Sequence, residues 1–229
     1  MKNATNDEPH GEGSAAERTL STAAPLRLAE ERDVPVLARV LARAFDEDPF
    51  YKWLVCQDER RSMRMEWTFE VILRRLSSAL NETHTNTELG GAALWKRPGE
   101  FKLPLGQQLA LLPAFVKGMG WGRVPGFLRM LQHMEGLHDR LVPEPHFYLF
   151  VLGVEPAQQG RGLGSRLLAP VLARCDADGT RAYLETSHSD NLPFYTRHGF
   201  EVVEVIERAT WPKFWLMRRE AGASAARPV

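Results

Sequence analysis

Cysteine is scarce in this chain. Its 229 residues include only Cys56 and Cys175. Neither has a CxxC partner or a metal-site spacing, so two unpaired thiols in a cytoplasmic protein are expected. Net charge is lacking as well, because 29 Lys plus Arg balance 29 Asp plus Glu. A polynucleotide partner ordinarily calls for a basic stripe, so no nucleic acid is expected. A local anion site stays open, since backbone N–H groups bind phosphate without formal charge. No run approaches the ~18 apolar residues of a membrane span, and no membrane partner is expected. His84, His133, His138, His146 and His188 show no HExxH or other ligand spacing, so no metal site is expected.

The first 24 residues are rich in Gly, Ser, Asn, Glu and Ala and lack the apolar stretch of a signal peptide. Residues 1–24 therefore read as a flexible leader and 221–229 as a similar tail, with one folded domain over 25–220. A strand is expected over Pro25–Glu30 and a helix from Val34, capped by Asp33, with Val36, Leu37, Val40, Leu41, Ala44 and Phe45 on its apolar face. The acidic turn Asp46-Glu47-Asp48-Pro49 should stop it. A second helix is expected over 58–80, then strands over 84–87 and 90–96. Residues 103–141 are apolar and aromatic, and Gly118, Gly120 and Gly122 divide them into two helices. Their Met and aromatic stripe suits either a core face or a partly exposed acceptor lid.

The C-terminal third is the most patterned. Strands are expected over 146–154, 182–186, 200–207 and 213–218, with helices over 162–177 and 192–198. This strand–helix–strand–helix–strand–strand order argues an α/β mixed sheet with helices on its faces. Between the first of these strands and its helix lies Gln159-Gly160-Arg161-Gly162-Leu163-Gly164-Ser165. Alternate glycines let a backbone wrap a bulky anion, and the helix start presents unsatisfied N–H groups with a partial positive charge. Arg161 or Arg166 would add a charged hydrogen bond. A glycine-rich turn with no ligand is the competing reading. Ser165-Arg166 stand where a Walker A loop needs Lys and Ser or Thr, and a Rossmann fingerprint fits only imperfectly.

Gln159-x-x-Gly162-x-Gly164 resembles the pyrophosphate loop of the GNAT superfamily of N-acetyltransferases. Two longer runs, YLFVLGVEPAQQGRGLGSRLLAPVL and AYLETSHSDNLPFYTRHGF, are similar to the branch that contains puromycin N-acetyltransferase, which tends to show LETS, NLPFY and a Gly-Phe in that order. The likeness is close over residues 146–205, reduces to element order over 25–100, and says little about 101–140. It implies a GNAT-like acyl-CoA N-acyltransferase fold, with the helical insert preceding the cofactor-binding strand, and acetyl-CoA lying between two splayed parallel strands. By that resemblance, Leu152, Gly153 and Val154 offer backbone groups to the pantetheine arm. The N–H groups of Gly160, Arg161, Gly162, Leu163, Gly164 and Ser165 take the pyrophosphate. Asn191 reaches the pantetheine, or else caps the short helix that follows it.

The resemblance also gives Tyr195 the role of general acid toward the departing thiolate. Packing beside Phe194 is its structural alternative. Glu185, at a strand end, is the candidate general base. An alkylamine of pKa ~10 is mostly protonated at neutral pH and must lose a proton before it attacks. Burial would raise the Glu185 pKa and make it a better base, although a carboxylate that only orients the amine is also compatible. The expected activity is direct acetyl transfer to the primary amine of a small molecule. Acetylation of a protein or peptide, or a catalytically silent CoA-binding module, is the alternative. Asp46, Glu47 and Asp48 either attract a cationic amine or form a solvated turn. Puromycin-type sequences tend to carry a tyrosine close to such a cluster, and here Tyr51 is displaced by a few residues. Monomer and homodimer are left open.

Overall fold

The computed structural model describes residues 24–76, 82–100, 102, 113 and 116–223. Most of the leader, most of the tail, the end of the 58–80 helix and most of the first half of the 103–141 insert lie outside the described residues. Seven strands form one sheet: β1 (Leu26–Leu28), β2 (Thr83–Asn86), β3 (Gly91–Lys96), β4 (His146–Val154), β5 (Arg181–Thr186), β6 (Glu201–Ile206) and β7 (Phe214–Arg219), in the order β1-β2-β3-β4-β5-β7-β6. Among the described residues, only β4 and β5 pair in parallel. They are joined by a crossover helix, as parallel neighbours require. The mixed sheet expected from the element order is therefore what the chain adopts.

Helices α1 (Val34–Ala44), α2 (Pro49–Leu54), α3 (Arg61–Val71) and α4 (Val124–Leu141) share one apolar core with one face of the sheet. Helices α5 (Leu163–Asp178) and α6 (Leu192–Thr196) share a second core with the other face. Helix α1 buries Leu37, Ala38 and Leu41 along one stripe. Leu41 comes so close to β4 that a Cβ on Gly153 would stand 2.6 Å from Leu41 Cδ2 and 3.0 Å from Phe45 Cε2. A side chain there would collide with α1, which accounts for the glycine.

Three local expectations need correction. Asp33 does not cap α1 through its side chain. Its carboxylate instead accepts from Glu30 N–H at 2.8 Å and from both terminal nitrogens of Arg27. Pro49 ends one helix but also opens another. It occupies the first turn of α2, where its missing N–H is not needed, while Asp48 Oδ1 accepts from Phe50 N–H and Tyr51 N–H. The 58–80 helix changes to wider π turns over Ile72–Leu76.

In the insert, residues 116–119 are helical and Gly120, at φ 79°, turns the chain into Trp121–Arg123 and α4. Phe127, Met130, Met134 and His138 form the buried stripe of α4. His146 Nδ1–H donates to the Glu144 carbonyl, so His146 Nε2 must accept the proton of His138 Nε2 across 2.6 Å. Burial, reinforced by the neighbouring ring, pushes His138 down to about 3, so this clamp between α4 and β4 is neutral at physiological pH.

Candidate active site

β4 and β5 begin side by side and then part. Their parallel pairing runs from His146↔Arg181 to Leu149↔Leu184 and goes no further. On its other side β4 stays paired with β3 as far as Val154. The ladder there passes from Trp95↔Leu149 to Leu94↔Val151, leaving Phe150 as an extra residue. Such a bulge bends and twists its strand. Phe150 and Val151 consequently both face the α4 side, and the edge of β4 facing β5 is open from Phe150 onward.

Glu185 is the first β5 residue past the last parallel pair. It faces a cavity of about 470 Å³ walled by α2, α4, β4, α6 and the start of β7, with Tyr51, Phe127, Met130 and Phe214 among its lining residues. Tyr183 Oη donates to Glu185 Oε1 at 3.0 Å and Tyr148 Oη to Oε2 at 3.3 Å. These bonds favour the carboxylate, but loss of hydration outweighs them and lifts the Glu185 pKa to about 7. The tyrosines keep their protons, since burial and the adjacent carboxylate both raise them. The His138 ring lies 4.3 Å from Tyr183 and 5.2 Å from Tyr148, centroid to centroid, and backs both donors.

Tyr195, on α6, also lines the cavity and is 7% exposed. No described residue hydrogen-bonds its hydroxyl. Burial, and then the charge of Asp48, push its pKa upward. It packs on Phe194 and Phe200 as well, so the packing role expected as an alternative is also present. Asn191 does not cap α6 through its side chain. Its amide donates to Thr186 Oγ1 at 3.3 Å, on the cavity wall.

Asp48 is the site residue that the sequence singled out least. Of the acidic turn, Asp46 pairs with Arg61 and Glu47 with Lys52, outside the cavity, whereas Asp48 lines it. The Ser187 hydroxyl reaches Asp48 Oδ1 at 2.9 Å and Oδ2 at 3.0 Å across 139 positions of sequence. Burial raises the Asp48 pKa against those bonds. Trp211 packs against the core.

The expected cofactor residues fall into two groups. Leu152 is on the cavity wall, and Gly153 and Val154 continue along the open edge. The loop Gln159–Ser165 lies beyond the cavity lining, at the start of α5. Gln159 Nε2 ties it to the Val154 carbonyl at 3.1 Å. Gly160 and Gly162 have φ of 74° and 81°, a left-handed backbone that glycine adopts at no steric cost. Gly164 instead makes room for Phe194, whose Cζ would be 3.3 Å from an added Cβ. No side chain caps the α5 N-terminus, which leaves its first-turn N–H groups for a ligand or water. Arg161 is exposed. Arg166 is already engaged with the Ala24 carbonyl, so only Arg161 remains as an edge cation.

Among the described residues, no cluster of three His, Cys, Asp or Glu is placed to hold a metal ion, and no helix is long and apolar enough to cross a membrane.

The chain belongs to the acetyltransferase (GNAT) family, whose model matches residues 79–200, more than half its length. It is accordingly an acetyltransferase, with acetyl-CoA as the acyl donor. An uncharacterized N-acetyltransferase of Schizosaccharomyces pombe is 28% identical over 183 residues, covering 75% of this chain and 72% of that protein. A tRNA-acetylating toxin of Mycobacterium tuberculosis is 35% identical over 94 residues, 35% of this chain and 57% of the toxin. Among solved structures, one described as histone acetyltransferase HPA2 and related acetyltransferase, from Corynebacterium glutamicum, superimposes with a TM-score of 0.62. It is 21% identical and covers 91% of this chain and 99% of its own.

Proposed function

We propose that this acetyltransferase moves the acetyl group of acetyl-CoA onto the primary amine of a small molecule, by direct attack within a ternary complex in the cytoplasm. The observation that carries the reading is Glu185, a carboxylate of pKa about 7 facing a largely apolar cavity where two parallel strands part.

The residues present fit the donor. The open edge of β4 leaves backbone groups of Leu152, Gly153 and Val154 for the amides of a pantetheine arm, paired as a strand would be. The N–H groups of Gly160–Ser165 at the α5 start suit a diphosphate, with Arg161 alongside. Bound there, acetyl-CoA supplies a thioester carbonyl and a thiol leaving group. Asp48 draws the acceptor's ammonium into the cavity, and Glu185 takes its proton directly or through one water. Backbone N–H near Val154 steadies the negative charge that develops on the carbonyl oxygen. Tyr195, protonated at neutral pH, acts as general acid toward the departing sulfur, and the proton that the attacking nitrogen sheds as the amide forms restores the phenol.

An acyl-cysteine route has no support. Cys175 is buried in α5 with its thiol pushed up to about 11 by burial, and Cys56 is held by Arg123 and the Met119 carbonyl. A largely apolar cavity of about 470 Å³ suits a small acceptor, and zero net charge disfavours an RNA one. The placement in the puromycin-type branch rests on the segments holding Glu185, Asn191 and Tyr195.

The test is CoA release measured across a panel of amines and peptides. Because the base acts when ionised, kcat/KM should rise with pH through about 7 and then level off. Glu185→Gln should be slower at neutral pH and show no break near 7, its rate rising on toward the amine's own pKa of ~10. Acetyl-CoA binding without turnover of any amine would overturn the proposal in favour of a silent module.

A further inference from the structure

One turn of chain sets a carboxylate beside two rings. Asp48 caps α2, and Phe50 and Tyr51, whose N–H groups it holds, follow within the first turn of that helix. All three line the cavity. The Ser187 hydroxyl ties Asp48 to the chain two residues beyond Glu185, so both carboxylates belong to the amine end. Among the described residues, Asp48 Oδ1 serves three donors: the two N–H groups and Ser187. Oδ2 is met by Ser187 at 3.0 Å and keeps lone-pair capacity for an ammonium. From Phe50 the rings continue as a connected wall. Its centroid lies 5.1 Å from that of Tyr51 and 5.7 Å from that of Phe214, and Tyr51 lies 5.1 Å from Phe45. Phe127 and Met130 line the same cavity from α4. Lys96 also lines it, with its Nζ over the Phe150 ring and its charge favoured by Glu100 and Glu135.

This arrangement limits the acceptor at both ends. A helical turn rises about 5.4 Å, so an ammonium on Asp48 leaves a spacer of about one to three carbons before the acceptor meets the rings. A further ring packs edge-on or offset against such a wall with a gain beyond simple burial, and methionine adapts to its flat face. At the other end, the carbon that bears the amine is brought to Asp48 and Glu185 together. A carboxylate on that carbon would face two groups of its own sign. Given the acetyl transfer proposed above, we propose that the acceptor is an arylalkylamine with no free carboxylate beside its amine. Its ammonium sits on Asp48 Oδ2 and its ring against Phe50, Tyr51 and Phe214.

The experiment measures kcat/KM for benzylamine, phenethylamine and phenylpropylamine, for ethylamine and cyclohexylethylamine, and for phenylalanine and phenylalaninamide. Calorimetry follows binding of each compound in the presence of CoA. The best phenylalkylamine should exceed ethylamine by roughly 10- to 100-fold, the worth of burying a phenylalanine side chain. Phenethylamine should exceed cyclohexylethylamine by about 3-fold or more, the gain of ring on ring. Phenylalanine should fall below phenethylamine by ~10²-fold, and phenylalaninamide should recover most of that loss. Phe50→Leu keeps an apolar side chain and should bring the phenyl-to-cyclohexyl ratio down toward parity. If that variant does not fold, the wild-type series decides alone. Ethylamine or cyclohexylethylamine matching phenethylamine, phenylalanine used as well as its amide, or a ratio untouched by Phe50→Leu overturns the proposal. Should no amine be acetylated, the proposed function fails, and the calorimetric ratios of phenethylamine to ethylamine and to phenylalanine still decide what this cavity selects.

Discussion

Replacing Glu185 with glutamine should make the protein slower and, above neutral pH, more stable. The two effects share one cause. In the unfolded chain this carboxyl ionises near its ordinary 4.5, while in the folded protein burial holds the proton to about 7. Between those values the native state binds a proton that the unfolded chain has released, so stability falls as pH rises. The full gap corresponds to about 3 kcal/mol, reached above pH 7 and absent below 4.5. Tyr183 and Tyr148 can still bond a glutamine oxygen and nitrogen, so the variant removes the charge with little change of shape. For a chain of this size each kcal/mol moves the melting temperature by roughly 2–4 °C. Melting followed by circular dichroism should therefore show Glu185→Gln several degrees above wild type at pH 8 and the two converging toward pH 4.5. Equal differences at both pH values, or a variant less stable at pH 8, would refute the argument that desolvation sets this pKa.

Tyr195→Phe should leave acetyl-CoA affinity nearly intact and lower turnover by ~10²-fold, as read by calorimetry and single-turnover kinetics. Equal chemical rates would remove the hydroxyl from the reaction. Asp48→Asn keeps a side-chain oxygen for the Phe50 and Tyr51 N–H groups but loses the charge. It should raise KM for amines by about 10-fold, the scale of one charge-assisted hydrogen bond, and lower kcat less. Gly162→Val places a β-branched residue at φ 81°, which costs roughly 1–2 kcal/mol in the left-handed region. Calorimetry should then find acetyl-CoA bound about 10-fold more weakly, with the amine preference unchanged.

The sheet, the crossover helix and the glycine loop could be read from the sequence because each is signalled locally. Short apolar runs, a helix-start glycine and turn residues all lie within a few positions of one another. What escaped depends on contacts between distant segments. Asp48 lay in an acidic turn with no sign of which carboxylate faced inward, because its partner Ser187 is 139 positions away. Pro49 satisfies the rule for a helix stop and the rule for a helix start alike, and only packing tells them apart. The Phe150 bulge was hidden because most of β4 is buried on both faces. A strand apolar on both sides shows no alternation, and a skipped step leaves no trace in it.

That skipped step bears on how this sequence can change over time. From Val151 onward every side chain of β4 faces opposite to where plain alternation would have put it. Losing a single residue between Leu149 and Leu152 would let the ladder with β3 close without interruption. The repaired strand would keep Val151–Val154 opposite the same β3 residues and on the same faces, but would lose a side chain from the cavity wall and the bend that parts β4 from β5. A shift in residue count here would therefore yield a better-zipped sheet with a narrower parting between its two parallel strands.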